Sequence, residues 1–295
     1  MDISIIIVNY NTCRITCQCL DSIFKYTKGV EFEVIVVDND SRNDDSKVVL
    51  SSYPNIIYVQ SHVNLGFGKA NNLGFKYTRG DLVLLLNSDT YLLNNALKYF
   101  VDRFKLLPNS IGCIGASLLS LDLQYVNSYG YFPDIKNVLK TTIFSYAKKI
   151  GLCKTKSYEV PCIKEKYVQY IVGADLCIRR SVIDELGLFD NDFFMYYEDV
   201  ELQKRYSTHS YSSYIIDGPQ IVHLECVSSN QSKKVYSYLN RQIYLDGMFL
   251  YFKKIHSFPK YLLFRLIFLL NLPAYINRRY TLTENVKLFK TFFSF

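Results

Sequence analysis

A polar triplet with one carboxylate follows an unbroken apolar run in the first half of the chain. The run covers residues 82–86 and the triplet is Asn87, Ser88 and Asp89. A short continuous apolar run indicates a strand that is buried on both faces of a sheet, and open α/β sheets bind ligands at the carboxyl ends of such strands. A carboxylate there can hold a hard divalent cation, and the cation can hold a diphosphate. The alternative is that the triplet caps the next helix.

Three further loops carry residue types that could contact a nucleotide. Residues 9–11 (Asn-Tyr-Asn) and 38–39 (Asp-Asn) follow apolar strands, and residues 64–68 (Asn-Leu-Gly-Phe-Gly) precede a helix. A tyrosine can stack on a flat base, a carboxylate can accept a hydrogen bond from the imide of uracil or thymine, and glycines let the backbone approach a ribose or phosphate. Ordinary turn chemistry would explain each loop alone, but four such loops at one sheet edge favour a nucleotide site.

The elements that must position these loops alternate along the chain. Predicted strands cover residues 3–8, 33–37, 56–59 and 82–86, and predicted helices cover residues 12–26 and 70–77. Strands and helices that alternate at this spacing indicate βαβ units and a parallel sheet. The glycine loop does not read G-x-G-x-x-G, so a classical dinucleotide-binding fold is disfavoured.

The second half of the chain contains an aromatic run that ends in two acids. Residues 193–197 read Phe-Phe-Met-Tyr-Tyr and lead into Glu198 and Asp199 at the start of a predicted helix. Burial among aromatic side chains raises the pKa of a carboxyl group toward neutrality, which suits a general base. The helix dipole also favours acids at a helix start, so a structural role is the alternative. His223 follows a predicted strand over residues 214–216, and a lone histidine is more often structural than a ligand.

The order of these motifs resembles the inverting glycosyltransferases of family 2, and in particular their bacterial rhamnosyltransferase-like subgroup. The motifs are S-I-I-I-V-N-Y-N, V-I-V-V-D-N-D-S, N-L-G-F-G-K-A-N-N-L-G and L-L-L-N-S-D-T. The resemblance implies the GT-A fold, an α/β domain over residues 1–230 with a Rossmann-like, mostly parallel sheet flanked by helices. Its nucleotide-sugar half would be residues 1–119 and its acceptor half residues 120–230. The family's Asp-x-Asp metal motif lacks its first carboxylate here.

The same resemblance implies roles for individual residues. Asp199 would be the catalytic base beside Glu198, and Asp89 and His223 would hold a divalent metal, Mg²⁺ or Mn²⁺. The residues implied at the acceptor site are Gly173, Ala174 and Tyr197, and those implied in binding the nucleotide sugar are Asn9, Tyr10, Asn11, Asp38, Asn39, Asn64, Gly66, Gly68, Asn71, Asn87 and Ser88.

By resemblance, the donor would be a nucleotide sugar, with dTDP-rhamnose favoured. The acceptor would be a lipid-linked glycan, a precursor of a cell-surface polysaccharide such as O-antigen. Two alternatives stay open: another donor such as a UDP-hexose, and a non-catalytic scaffold that binds sugar nucleotides. A nucleotidyltransferase is disfavoured, because no glycine-rich basic loop follows the first strand.

The net charge of +7 lies entirely at the carboxyl-terminal end. Residues 253–295 hold eight Lys or Arg and a single acid, while the first 252 residues balance. The segment from residue 231 is predicted to be helical, and its apolar stretch over residues 258–273 is shorter than the ~20 residues that a spanning helix requires. A helix packed on the core is one possibility, and an in-plane helix on an anionic membrane surface is the sharper expectation. No nucleic-acid partner is expected.

Composition bounds the remaining expectations. Apolar residues make up 49% of the chain, which is enough for a sizeable core. Met1 and Asp2 lead directly into a strand without a basic stretch, so we expect a cytoplasmic protein at the inner face of the bacterial membrane rather than a secreted one. The eight cysteines form no C-x-x-C pair, which disfavours structural zinc. Residues 120–166 match no motif, and the sequence assigns them no role.

Overall fold

The computed structural model describes residues 1–42, 44–149, 152, 165–224, 238–275, 283 and 285–286. The strands are β1 (Ile3–Asn9), β2 (Phe32–Asn39), β3 (Ile57–Ser61), β4 (Leu82–Asn87), β5 (Thr90–Leu92), β6 (Ile111–Ala116), β7 (Tyr129–Gly130), β8 (Lys166–Val168), β9 (Tyr170–Ile171), β10 (Asp175–Arg179), β11 (Ser212–Ile216) and β12 (Ile221–His223). The helices are α1 (Cys13–Tyr26), α2 (Ser46–Ser51), α3 (Phe67–Phe75), α4 (Ala96–Leu106), α5 (Ile135–Lys149), α6 (Arg180–Leu186), α7 (Glu198–Thr208), α8 (Tyr238–Ile255) and α9 (Phe258–Tyr275).

Among the described residues, the main sheet has eight strands in the order β3-β2-β1-β4-β10-β6-β11-β8. Its amino-terminal half is parallel throughout, since β1 pairs with β2 and β4 and β2 pairs with β3 in the same direction. Strand β10 lies antiparallel between β4 and β6. The predicted α/β architecture, a mostly parallel sheet flanked by helices, is confirmed.

The central strands are apolar on both faces because helices cover both sides of the sheet. Ile5, Ile7 and Leu84 lie in a core layer with side chains of α1 and α4. Ile6 and Leu85 point the other way, into a layer with side chains of α3, α6 and α7. Successive residues of a strand face opposite sides, so an unbroken apolar run is what a doubly covered strand requires.

The predicted strands are confirmed, and β1, β2, β3 and β4 all extend further at their carboxyl ends, to Asn9, Asn39, Ser61 and Asn87. The residues after β4 turn into β5, and the next helix, α4, begins only at Ala96. Asn87, Ser88 and Asp89 therefore do not cap a helix, which excludes that alternative.

The chain divides into two compact units. The first comprises Met1–Tyr131, Val160–Phe194 and Glu198–Lys233, and the second comprises Phe132–Glu159, Met195–Tyr197 and Lys234–Phe295. The main sheet lies in the first unit. The second unit groups the carboxyl-terminal helices with α5, which belongs to the stretch without motifs; the predicted divisions at residues 119 and 230 stay predictions.

Aromatic side chains hold the second unit together. The rings of Phe252 in α8 and Phe264 in α9 are stacked with centroids 3.9 Å apart, and Phe249 contacts both Phe264 and Phe268 at 5.2 Å. The predicted helical character is confirmed over residues 238–275, while residues 231–237, where the predicted helical segment begins, and most of residues 276–295 lie outside the described residues. None of the described helices combines the length and the apolarity needed to cross a bilayer.

Candidate active site

Asn39 ties the end of β2 to the glycine loop. Its Nδ2 donates to Asn64 Oδ1 at 3.0 Å and to the carbonyl oxygen of Gly66 at 3.2 Å, and its Oδ1 accepts from the Leu65 backbone N–H at 2.8 Å. Asn64 Oδ1 also accepts from the Gly66 N–H at 2.9 Å. Both asparagines therefore shape the loop that leads into α3, at the carboxyl edge of the sheet.

Asn9 and Asp38 lie beneath the loops rather than at their surface. Both are fully buried. Asn9 Nδ2 donates to Ser46 Oγ at 2.8 Å and to Asp38 Oδ1 at 3.3 Å, and Asp38 Oδ2 accepts from the Tyr58 hydroxyl at 3.1 Å. In this arrangement Asn9 and Tyr58 hold the Asp38 carboxylate and the two side chains position the loops. The expected contact of Asp38 with a base stays a prediction.

Tyr10 is the exposed aromatic side chain of the first loop, with 41% of its surface accessible. The neighbouring Asn11 has a positive φ of 55°, accepts the Arg42 backbone N–H at 2.8 Å through its Oδ1, and donates its own N–H to Ser41 Oγ at 2.8 Å. These contacts fix the loop while Tyr10 stays accessible to stack on a flat ring.

The glycine loop is built for a close approach of protein backbone. Gly66 has a φ of +78°, and a Cβ built on it would lie 2.0 Å from the carbonyl oxygen of Phe194. The Phe67 N–H donates to that same oxygen at 2.8 Å. A Cβ on Gly68 would lie 3.1 Å from the Phe189 Cβ. The segment 189–194 packs against this side of the loop, and the predicted approach of a ribose or phosphate stays a prediction.

Two asparagines of α3 complete this junction. The buried Asn71 donates to the Phe67 carbonyl within the helix at 3.0 Å, which gives its side chain a structural contact. Asn72, which the sequence did not single out, donates to the Phe189 carbonyl at 2.8 Å and accepts the Phe189 N–H at 3.0 Å. The paired asparagines of the N-N-L-G motif were the available signal, but only the fold shows which of them reaches the 189–194 segment.

Asp89 and His223 lie side by side where β5 pairs with β12. Strands β5 and β12 pair antiparallel so that Thr90 lies opposite His223. This register places His223 Nε2 3.3 Å from Asp89 Oδ1 and 3.4 Å from Asn87 Nδ2. The side chains of Asp89 and His223 are only 8% and 14% exposed.

The corner formed by Asp89 and His223 fits a divalent cation. A carboxylate oxygen in the turn between β4 and β5 and an imidazole nitrogen at the end of β12 suit Mn²⁺, and two protein ligands would leave positions open for the oxygens of a diphosphate. Within the part of the chain that the structure describes, no cluster brings together three or more His, Cys, Asp or Glu side chains. The two residues predicted to hold a metal are therefore adjacent, and they would supply only part of its ligands.

The carboxylate of Asp199 is held by two backbone donors in the first turn of α7. Its Oδ2 accepts the Gly173 N–H at 3.0 Å and its Oδ1 accepts the Val200 N–H at 2.8 Å. Burial raises the pKa of Asp199, and these N–H groups partly offset that rise by stabilising the charged form. Each oxygen retains a lone pair, so the group can still accept a proton.

Glu198 is the buried partner of this carboxylate. It is 5% exposed, and its Oε2 has no hydrogen-bond partner among the described residues. Burial, and then the nearby charge of Asp199, raise the pKa of Glu198 to about 8. Since different environments separate the pKa values of adjacent carboxyl groups, we assign the proton to Glu198 and the charge to Asp199 at neutral pH.

Gly68 and Gly173 both lie close to the acid pair, Glu198 and Asp199. A Cβ on Gly68 would lie 3.7 Å from the Glu198 Cβ, and a Cβ on Gly173 would lie 3.5 Å from the Asp199 Cβ and 3.6 Å from Phe67 Cε1. The helix α3 and the turn before β10 therefore both pack against the acid pair.

Hydrogen bonds join the corner formed by Asp89 and His223 to the other loops. The Asn87 N–H donates to the Ala174 carbonyl at 3.0 Å, next to the residue that holds Asp199. Thr12 donates to Asn9 Oδ1 at 3.0 Å, and its hydroxyl lies 3.3 Å from that of Ser88. Within the first unit these bonds link the loop at Asn9 to Ser88, and Asn87 to the turn that holds Asp199. Gly173 and Ala174, expected at the acceptor site, take part in these bonds through their backbones.

The turn before the acid pair is strained. Tyr196 and Tyr197 have φ values of 68° and 67°, which bulky side chains rarely adopt. Tyr197, expected at the acceptor site, is 9% exposed, and its hydroxyl lies 3.1 Å from that of Tyr244. Its ring belongs to the aromatic cluster of the second unit. Such backbone strain concentrates at functional sites.

Glu198→Gln should change how stability depends on pH. The folded chain keeps the Glu198 proton up to about pH 8, whereas the ordinary pKa is 4.5. Between these values the folded state holds more protons than the unfolded state, so the free energy of unfolding falls as pH rises. Glutamine is neutral throughout and lacks this slope. Denaturant titrations from about pH 5 to about pH 8 should show the wild type losing stability relative to the variant, and parallel curves would contradict the assignment.

Two sequence comparisons both match this chain to glycosyltransferases. The profile described as Glycosyl transferase family 2 matches residues 4–160, more than half of the chain. The chain is 25% identical over 252 residues to the low-salt glycan biosynthesis hexosyltransferase Agl10 of Haloferax volcanii, covering 83% of this chain and 73% of that protein. It is 22% identical over 210 residues to the N-acetylglucosaminyl-diphospho-decaprenol L-rhamnosyltransferase of Mycobacterium tuberculosis, covering 67% of this chain and 68% of that protein.

Solved structures share the fold. The mannosyltransferase PcManGT from Pyrobaculum calidifontis, in complex with GDP-Man and Mn²⁺, aligns with a TM-score of 0.56 at 16% identity, covering 98% of this chain and 78% of that one. TarS from S. aureus aligns with a TM-score of 0.56 at 17% identity, covering 96% of this chain and 46% of that one. At these identities the likeness shows the fold alone.

Proposed function

Since this chain belongs to glycosyltransferase family 2, we propose that it transfers a sugar from a nucleotide-sugar donor to a lipid-linked glycan, with inversion at the anomeric carbon. The observation that carries this proposal is the Asp199 carboxylate, held by the Gly173 and Val200 N–H groups beside a neutral Glu198. A charged carboxylate with free lone pairs, next to a loop network at the carboxyl edge of the sheet, fits a general base for an acceptor hydroxyl.

The reaction is a single displacement. The acceptor oxygen attacks the anomeric carbon, the bond from that carbon to the diphosphate breaks, and the hydroxyl proton passes to Asp199. Glu198 stays protonated, so the attacking oxygen meets one negative charge rather than two. The exposed Tyr10 would stack on the base of the donor, and the loop network beneath it would hold the ribose and diphosphate.

Asp89 and His223 are the residues that would hold Mg²⁺ or Mn²⁺ in this reaction. A bound divalent cation offsets negative charge on a departing diphosphate. Both side chains belong to one sheet corner, so the antiparallel pairing of β5 and β12 fixes their separation before any ion binds.

The donor we propose is dTDP-rhamnose, with another nucleotide sugar such as a UDP-hexose as the alternative. Support comes from the rhamnosyltransferase-like motifs and from the similarity to a rhamnosyltransferase. Thermal-shift measurements against dTDP-, UDP- and GDP-sugars would separate these donors. Stabilisation by UDP-sugars but not by dTDP-rhamnose would replace the rhamnose assignment.

The acceptor we propose is a glycan on a lipid diphosphate, part of a cell-surface polysaccharide such as O-antigen, at the inner face of a bacterial membrane. The similar rhamnosyltransferase has a diphospho-decaprenol substrate in its name, which supports this class. The basic carboxyl-terminal helices would keep the enzyme at that surface, where its encounter with a membrane-bound substrate becomes local.

A non-catalytic scaffold that binds sugar nucleotides is the second candidate. It would bind the donor yet release no nucleoside diphosphate. Incubation with dTDP-rhamnose and Mn²⁺, followed by detection of dTDP, separates the two candidates, because glycosyltransferases hydrolyse their donors slowly without acceptor. Donor binding without any detectable dTDP, with or without a lipid-linked acceptor, would favour the scaffold.

Asp89→Ala should remove the effect of metal on nucleotide affinity. We expect Mn²⁺ to tighten binding of dTDP and UDP to the wild type by about tenfold or more, because Asp89 and His223 would hold the ion and its charge would attract the diphosphate. His223→Ala should reduce the gain, and Asp122→Ala, which removes an exposed carboxylate, should leave it unchanged. Calorimetric titrations with Mn²⁺ and with excess chelator measure it. Equal affinities in both conditions for the wild type would refute the metal assignment.

A further inference from the structure

Helix α9 is apolar on two faces. Tyr261, Phe264, Ile267 and Phe268 are buried against the aromatic cluster of the second unit. Phe258, Leu262, Leu266 and Leu270 recur every fourth residue and are 74%, 46%, 55% and 60% exposed. Residues at this spacing share one helix face. An exposed apolar face of this kind marks an interaction site.

Helix α5 carries a second exposed apolar stripe. Leu139, Ile143 and Tyr146 share one face and are 41%, 60% and 38% exposed. Within the second unit α5 packs against α9. The Tyr146 hydroxyl donates a hydrogen bond to the carbonyl oxygen of Leu270. Since these two residues belong to the two stripes, the stripes meet there and form one surface, which we call the apolar platform.

All the charged residues within α5 and α9 are positive. Lys136 and Lys140 of α5 and Lys260 of α9 are exposed, and neither helix contains an Asp or Glu. At the start of α9, a cavity of about 230 Å³ is lined by Lys253, Phe258, Tyr261, Leu262 and Arg265. The cavity combines apolar walls with two cationic side chains, so it suits a phosphate head group that is attached to acyl chains.

We propose that the apolar platform docks the enzyme on a bilayer that contains anionic phospholipid, with α5 and α9 lying in the plane of the interface. Helices of this type bury apolar side chains at the boundary of head groups and acyl chains, while Lys and Arg meet the anionic head groups. A second copy of the chain is a poorer occupant, because two such surfaces would set positive charges against each other.

The inference rests on the proposed function for the membrane location of the acceptor, and it extends that proposal from the carboxyl-terminal helices to α5. It gives a role to residues 135–149, for which the sequence offered no motif. Deletion of the carboxyl-terminal residues would be a poor test, because the inner face of α9 packs on α8 and its loss would expose Phe252 and Phe249.

The chain contains no tryptophan, so a single introduced tryptophan reports its own environment. Leu266→Trp probes α9 and Ile143→Trp probes α5. Leu106→Trp, at an exposed site (77%) at the end of α4 in the other unit, is the matched control. With vesicles of phosphatidylglycerol and phosphatidylcholine, the first two should show blue-shifted emission and quenching by brominated acyl chains. The control should show neither, and phosphatidylcholine alone should give a weaker response.

Substitutions with glutamate provide a second test of vesicle binding. Ile143→Glu and Leu266→Glu should each lower partitioning onto the same vesicles about tenfold, the loss expected when one aliphatic side chain can no longer be buried. Leu106→Glu should not. Because all three sites are exposed, unfolding temperatures should stay near that of the wild type.

Three outcomes would overturn the platform. Quenching at Leu266→Trp without quenching at Ile143→Trp would exclude α5 from the surface. Emission shifts that grow with protein concentration in the absence of vesicles would identify a second copy as the occupant. Absence of vesicle binding would exclude a bilayer. Binding of dTDP to the same variants tests the proposed function separately, since none of the substituted residues belongs to the predicted nucleotide-binding loops.

Discussion

Asp199→Asn is expected to lower turnover by about 10²–10⁴, the usual contribution of a general base. Asparagine keeps the size of the side chain and can still accept the Gly173 N–H, which the structure places 3.0 Å from Asp199 Oδ2. It cannot take a proton from the acceptor hydroxyl. Donor affinity should therefore stay within a few-fold of wild type while transfer to the acceptor falls. Steady-state transfer assays together with calorimetric titration of dTDP measure the two quantities separately.

Glu198→Gln is the matched control for this experiment. Because Glu198 holds its proton at neutral pH in our assignment, a neutral amide in its place should cost far less activity than the change at Asp199. If Glu198→Gln loses as much turnover as Asp199→Asn, or if Asp199→Asn stays within a few-fold of wild type, the base is not Asp199.

Gly66→Ala is expected to cost about 3 kcal/mol or more of unfolding free energy, and to weaken donor binding. A left-handed backbone already costs a residue with a Cβ about 1–2 kcal/mol. At Gly66 the Cβ would in addition meet the Phe194 carbonyl at 2.0 Å, so the junction with the 189–194 segment must open. Denaturant unfolding measures the first effect and titration with dTDP the second.

Gly187→Ala separates the steric clash from the backbone cost. Gly187 has a φ of +77°, nearly that of Gly66, but a Cβ built on it meets nothing within 4 Å. We expect this variant to lose only about 1–2 kcal/mol and to bind dTDP normally. Equal losses for the two variants would show that the close contact with Phe194 does not limit the loop.

The apolar runs were enough to place β1, β2 and β4, because a doubly covered strand leaves a pattern within its own residues. The acid pair at the start of α7 was also readable, since aromatic flanks and helix-start acids are local. Which polar side chains face a ligand was not. Asn9 and Asp38 were expected to contact the nucleotide, and this stays a prediction. Their hydrogen bonds to Ser46 and Tyr58 could not be foreseen, because partners in other elements leave no trace in the loop itself.

The same limit explains what sequence reasoning missed. Asn72 reaches Phe189, 117 residues away, and no periodicity encodes such a contact. The corner formed by Asp89 and His223 depends on the pairing of β5 with β12, which brings Thr90 opposite His223. The family resemblance led us to predict Asp89 and His223 as metal ligands, and spacing alone could not have paired them. For α5, neither pattern nor resemblance offered a role, and its exposed stripe became visible only beside α9.

The position of β10 has a consequence for the growing chain on the ribosome. Strand β10 lies between β4 and β6, although β6 precedes it in the sequence. The parallel half of the sheet can assemble once Asn87 has emerged, but its β4 edge then waits for residues 175–179. At synthesis rates of roughly 5–20 residues per second that wait lasts on the order of 5–20 s. An open, wholly apolar strand edge is a template for pairing with other chains. Nascent chains should therefore need a chaperone bound to this edge during that interval, until β10 has been synthesised through Arg179 and pairs with β4.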